Sequence, residues 1–357
     1  MINRFFVFFG LASMMSFSLM VKAELAPTRS LSYPELTPPF LMVQTIKQEL
    51  QTKPMFRIIQ GGKYGFIDRL GAVIIPPQFD DLVWGFVGDR AQYKANDKYG
   101  FIDQTGKVVI SAKYRLAFGF SNDMALVVLG TKYGYIDKTG KVMIPTKFEE
   151  AQAFKEELAA VKIGEKWGYL DKAGRVAIPA RFDYAMAFSD GLAPVLVGDK
   201  RGYIDKTGKM AIQPQWKGDW LSGMWVFSEG FAGIQQNEKW GYIDKTGKVI
   251  IPPQFDEIRE FHEGMAGVQI NEKWGYIDKT GKVVIPPQFD RADRFSNGLA
   301  AVKKGDRYGY IDPTGKMVIP LQFGLAFNFT EGLALVYTKD GAGYIDKTGN
   351  YVWKPAK

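Results

Sequence analysis

Cysteine is absent from the 357 residues, and histidine occurs once, as His262. The first absence excludes disulfides, thiolate nucleophiles, thiolate zinc sites and a lipidated N-terminal cysteine. The second excludes multi-histidine metal centres and leaves a Ser-His-Asp arrangement only one imidazole to use. There is no GxxxxGK[ST] phosphate loop, HExxH, GxSxG elbow or EF-hand loop, and no cofactor is expected. Long apolar runs are missing beyond the N-terminus, so no membrane-spanning segment is expected there. Neither sign of charge dominates, since 46 basic and 38 acidic side chains leave a formal +8. What is plentiful is glycine, at 39 residues, and aromatic side chains, at 14%. That pairing points to many turns in an aromatic-rich β architecture.

The N-terminus reads as a targeting segment. A basic start at Arg4, an apolar stretch from Phe5 to Met20 and the small-x-small ending Val21-Lys22-Ala23 are the marks of a secretory signal peptide over residues 1–23. Its removal takes Arg4 and Lys22 away and lowers the formal charge from +8 to +6. The protein is therefore expected to be exported, to the periplasm or outside the cell. Residues 24–38 are proline-rich and polar, a linker. Phe40, Val43, Ile46 and Leu50 then fall at helical spacing, which predicts a short helical cap over 39–54.

From residue 55 to 357 the chain repeats. A glycine followed by an aromatic or aliphatic pair and aspartate recurs nine times, at Gly65, Gly100, Gly134, Gly168, Gly202, Gly241, Gly275, Gly309 and Gly343. Successive spacings are 35, 34, 34, 34, 39, 34, 34 and 34. Each unit reads roughly as Lys-Trp-Gly-Tyr-Ile-Asp-Lys-Thr-Gly-Lys-Val-Val-Ile-Pro-Pro-Gln-Phe-Asp, a polar linker, then Phe-x-x-Gly-Leu-Ala-x-Val. Trp240 to Asp244 alternates like a strand, Asp244-Lys245-Thr246-Gly247 is a turn, and Lys248 to Ile251 returns until Pro252-Pro253 stops it. Gly264 to Gln269 supplies a third strand. A three-stranded meander cannot bury its own apolar face, so neighbouring units must supply the core. The expectation is an all-β tandem array of nine such meanders, open and solenoid-like. A β-propeller is the alternative, set back by the count of nine and by the lack of a strand split between the termini.

This pattern resembles the WG-repeat, or KWG-repeat, family of secreted and envelope-associated bacterial proteins. Lys166-Trp167-Gly168, Lys239-Trp240-Gly241 and Lys273-Trp274-Gly275 carry the name motif in full, while Tyr64, Tyr99, Tyr133, Tyr308, Arg201 and Ala342 replace its tryptophan. The resemblance implies a β-rich module for binding or scaffolding and carries no catalytic residues with it.

Nine aspartates at equivalent turns, Asp68 to Asp346, are expected to serve the turns rather than catalysis. Function is sought where copies differ. The 39-residue interval holds Trp216, Trp220 and Trp225 on an expected loop, with Trp84 a weaker second candidate for stacking on a sugar or a protein. Lysines flank successive turns, at Lys138 and Lys141, Lys206 and Lys209, Lys245 and Lys248, and Lys279 and Lys282, forming a candidate polyanion-binding row. His262, beside Glu260 and Glu263, reads as an ordinary linker histidine. The function expected is a non-catalytic binding or scaffold protein whose partner is a protein or a cell-envelope glycan. No nucleic-acid role and no integral membrane segment after leader cleavage are expected. The alternatives are an envelope-glycan hydrolase, which needs two unmatched acids about 5 to 10 Å apart, and a purely structural spacer.

Overall fold

The computed structural model describes residues 53–83, 85–217 and 226–354. The leader, the linker and nearly all of the cap segment lie outside the described residues. Among the described residues every regular element is a strand, and the strands form nine antiparallel sheets in sequence order.

The seventh sheet shows how the sequence makes each one. Met265–Ile270 pairs with Lys273–Asp278 through the two-residue loop Asn271-Glu272, whose φ values of 50 and 64 suit the right-handed twist of a hairpin. Lys273–Asp278 then turns through Asp278-Lys279-Thr280-Gly281 into Val283–Phe289. That last strand does not stop at its prolines. Trp274 pairs with Phe289 and Tyr276 with Ile285, so Pro286-Pro287 sits in a bulge within the strand. The bulge explains the glycine of the motif. A Cβ on Gly168 would lie 2.6 Å from the Ile178 carbonyl oxygen and 2.7 Å from the Ala180 nitrogen, backbone of its own sheet's last strand.

Two expectations about the unit are corrected. The Gly264–Gln269 strand pairs forward, with the next aromatic-glycine strand, so it opens a sheet rather than closing one. Six of the nine sheets also carry a fourth, two-residue strand, Glu257–Ile258 in the seventh, paired to the first long strand.

Each sheet is a blade, and the cores lie between blades. Trp274, Tyr276, Ile285 and Phe289 of the seventh blade share one apolar cluster with Phe295, Ala300, Val302 and Ile311 of the eighth. Turn glycines seat each blade on the one before. A Cβ at Gly140 would stand 3.2 Å from Ile110, at Gly281 3.2 Å from Ile251, and at Gly349 3.2 Å from Ile319. The first blade has no preceding blade in sequence, yet Gly71 makes the same contact, 3.2 Å from the Val352 side chain of the ninth. Phe56, Ile58 and Ile67 bury against Leu333 and Tyr344, and the Tyr344 hydroxyl donates to the Arg57 carbonyl at 3.0 Å. The array therefore closes into a nine-bladed β-propeller, and the open arrangement is replaced by its alternative. No split strand is needed, because the same blade-to-blade contact that stacks the interior units also joins the ends.

The tyrosine after the motif glycine ties blades together. Tyr135, Tyr169, Tyr242, Tyr276 and Tyr310 donate to the carbonyls of Gln152, Met186, Arg259, Asp293 and Phe327, at 2.6 to 2.8 Å, each 17 residues on. Burial pushes these phenols up, and the equivalent Tyr344 to about 12. Tyr203, which precedes the five-residue insertion, is buried with its hydroxyl unpartnered among the described residues. Tyr242→Phe should therefore cost about 1 kcal/mol by orphaning the Arg259 carbonyl, whereas Tyr203→Phe should cost nothing. Urea unfolding of the two variants side by side checks the difference, and equal losses would contradict it.

Candidate binding surface

The repeated carboxylates are occupied locally. In seven turns, Oδ1 of the aspartate accepts the N–H groups two and four residues on and a threonine hydroxyl; in Asp244-Lys245-Thr246-Gly247 these come from Thr246 N at 2.9 Å, Lys248 N at 3.0 Å and Thr246 Oγ1 at 2.6 Å. The Thr139, Thr207, Thr246, Thr280 and Thr314 hydroxyls hold Asp137, Asp205, Asp244, Asp278 and Asp312 below the usual carboxylate range. These aspartates are turn residues, as expected.

A second set of acids was not read from the sequence. The two-residue loops before the first long strand place Glu156, Asp190, Glu229, Glu263 and Glu331 at φ near 50. Such a backbone costs about 1 kcal/mol or more for a residue with a Cβ, and the next blade offsets it. Glu229 accepts the Glu263 N–H at 2.7 Å and the Gly264 N–H at 3.0 Å, and Glu263 repeats this with Asn297 at 2.7 Å and Gly298 at 2.8 Å. Glu156 and Asp190 hold Gly191 and Gly230 in the same way. Glu331, with no following loop among the described residues, pairs with Arg69 of the first blade at 3.2 Å. An acid or asparagine at 34-residue spacing just before the Gly-Leu-Ala segment was the available signal.

These acids also take up part of the lysine row. Lys206 pairs with Glu156 at 3.0 Å, Lys279 with Glu229 at 3.0 Å, and Lys138 with Asp89 and Asp123, both at 3.2 Å. No ion pair holds Lys245 among the described residues. The second members, Lys141, Lys209, Lys248 and Lys282, are exposed and make no ion pair among the described residues. The row is thus two rows: three of the four first members reach the preceding blade, and the second members make no ion pair among the described residues. On the opposite end of the blades the lysine of the name motif meets the aspartate 17 residues on: Lys166 with Asp183, Lys239 with Asp256 and Lys273 with Asp290. Those lysines hold the three carboxylates below their ordinary values.

The tryptophans divide differently. Trp167, Trp240 and Trp274 of the motif are buried, so they build the core rather than an exposed platform. Trp216 is buried too, edge-on to Tyr203 with centroids 6.5 Å apart and paired across the strands with the buried Arg201. It stands where other units have the phenylalanine of Gln-Phe-Asp. Trp84, Trp220 and Trp225 lie outside the described residues. His262 lies 3.2 Å from Arg294 of the next blade and 3.4 Å from Glu260. No group of acids and histidine among the described residues is arranged to hold a metal ion.

A family model described as a WG containing repeat matches eight times in tandem, over residues 64–99, 99–133, 133–167, 167–200, 202–240, 240–274, 274–308 and 308–341. The chain belongs to the WG-repeat family. Each match runs from one aromatic-glycine strand to the next, so eight matches span the nine blades of the WG-repeat ring. No curated protein sequence matches the chain. Among solved structures, that of a eukaryotic initiation factor is similar with a TM-score of 0.58 at 14% identity, over 84% of this chain and 95% of that one. The dihydro-heme d1 dehydrogenase NirN is similar at a TM-score of 0.47 and 16% identity, over 84% and 72%. At 14% identity the likeness to the initiation factor speaks to the fold of the WG-repeat ring alone.

The depressed aspartates set a pH dependence. Their native pKa values lie below the unfolded ones, so the native state holds fewer protons and is favoured above the unfolded value of about 3.9. That stability is lost as pH falls through the native values. The melting midpoint should stay level from about pH 7 to about pH 5 and then fall steeply below about pH 4. A midpoint level down to about pH 2 would contradict it.

Proposed function

We propose that this WG-repeat propeller is a non-catalytic binding or scaffold protein, exported to the bacterial envelope or beyond, whose partner is a protein or a cell-envelope glycan. The observation that carries this reading is where the repeated polar groups go. Turn aspartates cap their own backbone, loop glutamates hold the next blade, and motif lysines neutralise nearby aspartates. What remains free lies in the exposed turns and last strands of the ring, a surface suited to contact. The leader-like N-terminus supports export.

The test is retention on glycan arrays, on peptidoglycan and on envelope protein, with the protein as the cell processes it. Saturable retention on one of these without change to the retained material is expected. Cleavage of the glycan would favour the hydrolase reading, and absence of retention on all three would favour the spacer.

A further inference from the structure

One rim of the ring repeats a cation beside an exposed aliphatic side chain. Leaving six of the nine aspartate turns, Lys107, Lys141, Lys209, Lys248, Lys282 and Lys316 are exposed and make no ion pair among the described residues. Most are followed directly by an exposed valine: Val108 at 45%, Val142 at 52%, Val249 at 39% and Val283 at 40%. Since the turns occupy the same end of every blade, these pairs form a discontinuous circle. The carboxylates of the same turns point inward onto their own N–H groups, and the first lysine of a turn pairs with a loop acid in four blades.

The first blade breaks the pattern in one direction. Its turn is Asp68-Arg69-Leu70-Gly71, with leucine where seven other blades have threonine. The threonine hydroxyl bonds the turn aspartate elsewhere; Leu70 gives that bond up and stands 86% exposed, the most exposed large apolar side chain among the described residues. Val73 and Ile74, both 46% exposed, follow it. An apolar tip within a ring of cation-aliphatic pairs matches a surface that is anionic outside and apolar just beneath.

The geometry points to an anionic lipid surface as the ligand of this rim, with lysines on the head groups and Leu70, Val73 and the rim valines entering the boundary with the acyl chains. A soluble polyanion would use the lysines but gain nothing from Leu70. This deepens the binding reading above by naming a surface on which the ring rests, and it can fail without that reading failing.

The experiment is flotation of the protein, as the cell processes it, with phosphatidylcholine vesicles with and without phosphatidylglycerol. Dextran sulfate serves as a soluble polyanion. Leu70→Thr restores the residue of the other turns and should keep the fold, which melting checks. Binding is expected only to vesicles with phosphatidylglycerol, weakening with salt and falling about tenfold in Leu70→Thr. The combined Lys141→Gln, Lys248→Gln and Lys282→Gln variant should lose the preference for anionic vesicles. Flotation equal in Leu70→Thr and the parent overturns the proposal, as does absence of flotation. Retention on dextran sulfate alone overturns it too, while leaving the glycan reading intact.

Discussion

Gly168→Ala should destabilise the ring by about 3 kcal/mol, near the upper end for overpacking. The new methyl carbon meets backbone on every side: the Ile178 carbonyl oxygen at 2.6 Å, the Ala180 nitrogen at 2.7 Å and its Cα at 2.9 Å. No flexible side-chain end can give way, so the bulge itself must move. The bulge aligns Trp167 with Phe182 and Tyr169 with Ile178, and all four pack in one core between the fourth and fifth blades. Gly164→Ala, in the preceding hairpin of the same blade, is the comparison. Its φ is +62 and nothing stands within 4 Å of the added carbon, so only the left-handed backbone resists, at about 1 kcal/mol. Thermal melts at about 2 °C per kcal/mol for a chain of this size should separate the two by several degrees. Equal midpoints would mean that the bulge shifts to admit a methyl group.

Ile67→Ala tests closure of the ring with a comparable effect. Ile67 is fully buried at the seam, packed with Phe56 and Ile58 of its own blade and Leu333 and Tyr344 of the ninth. Removing a buried isoleucine to alanine costs about 2 to 5 kcal/mol where neighbours cannot collapse. In a closed ring this should match Ile243→Ala, an equivalent, fully buried residue of the sixth blade. An open array would fray at its ends, and the seam variant would be milder. Hydrogen exchange provides a second readout. Amides of the first and ninth blades should be as protected as those of the sixth in the parent, and Ile67→Ala should expose both seam blades together. Loss confined to the first blade would argue against closure.

The candidate surface was legible in part. Lys141, Lys209, Lys248 and Lys282 were visible as a row from spacing, and they are exposed with no ion pair among the described residues. Lys138, Lys206 and Lys279 looked identical to them in sequence. Only the approach of Asp89, Glu156 and Glu229 from the preceding blade, and of Asp123 from the same blade, distinguishes them, because those partners lie 15 to 50 residues away along the chain. Trp216 looked like loop because its neighbours are an insertion, yet it ends the strand Met210–Trp216 at a phenylalanine position. Leu70 carried a signal that went unread: it is the one large aliphatic residue at a threonine position repeated in seven other turns.

For the protein as a whole, the sequence by itself determined the period, the hairpins and their turns. Those depend on contacts within about 20 residues, where alternation and the Asp-x-Thr-Gly turn leave little choice, although the forward hairpin through Asn271-Glu272 was seen only in the structure. Tertiary structure decided how units are divided into blades and that the blades close. Division into blades follows from which strand each two-residue loop pairs forward, and blade-to-blade packing joins residues about 17 to 30 apart. Closure rests on Gly71 meeting Val352 and Arg69 meeting Glu331 across nearly the whole chain. A repeat states what each unit offers its neighbour. Whether the last unit's neighbour is the first depends on the small rotation from blade to blade, and that angle is set by how side chains such as Ile319 and Val352 fill the space beneath the next turn.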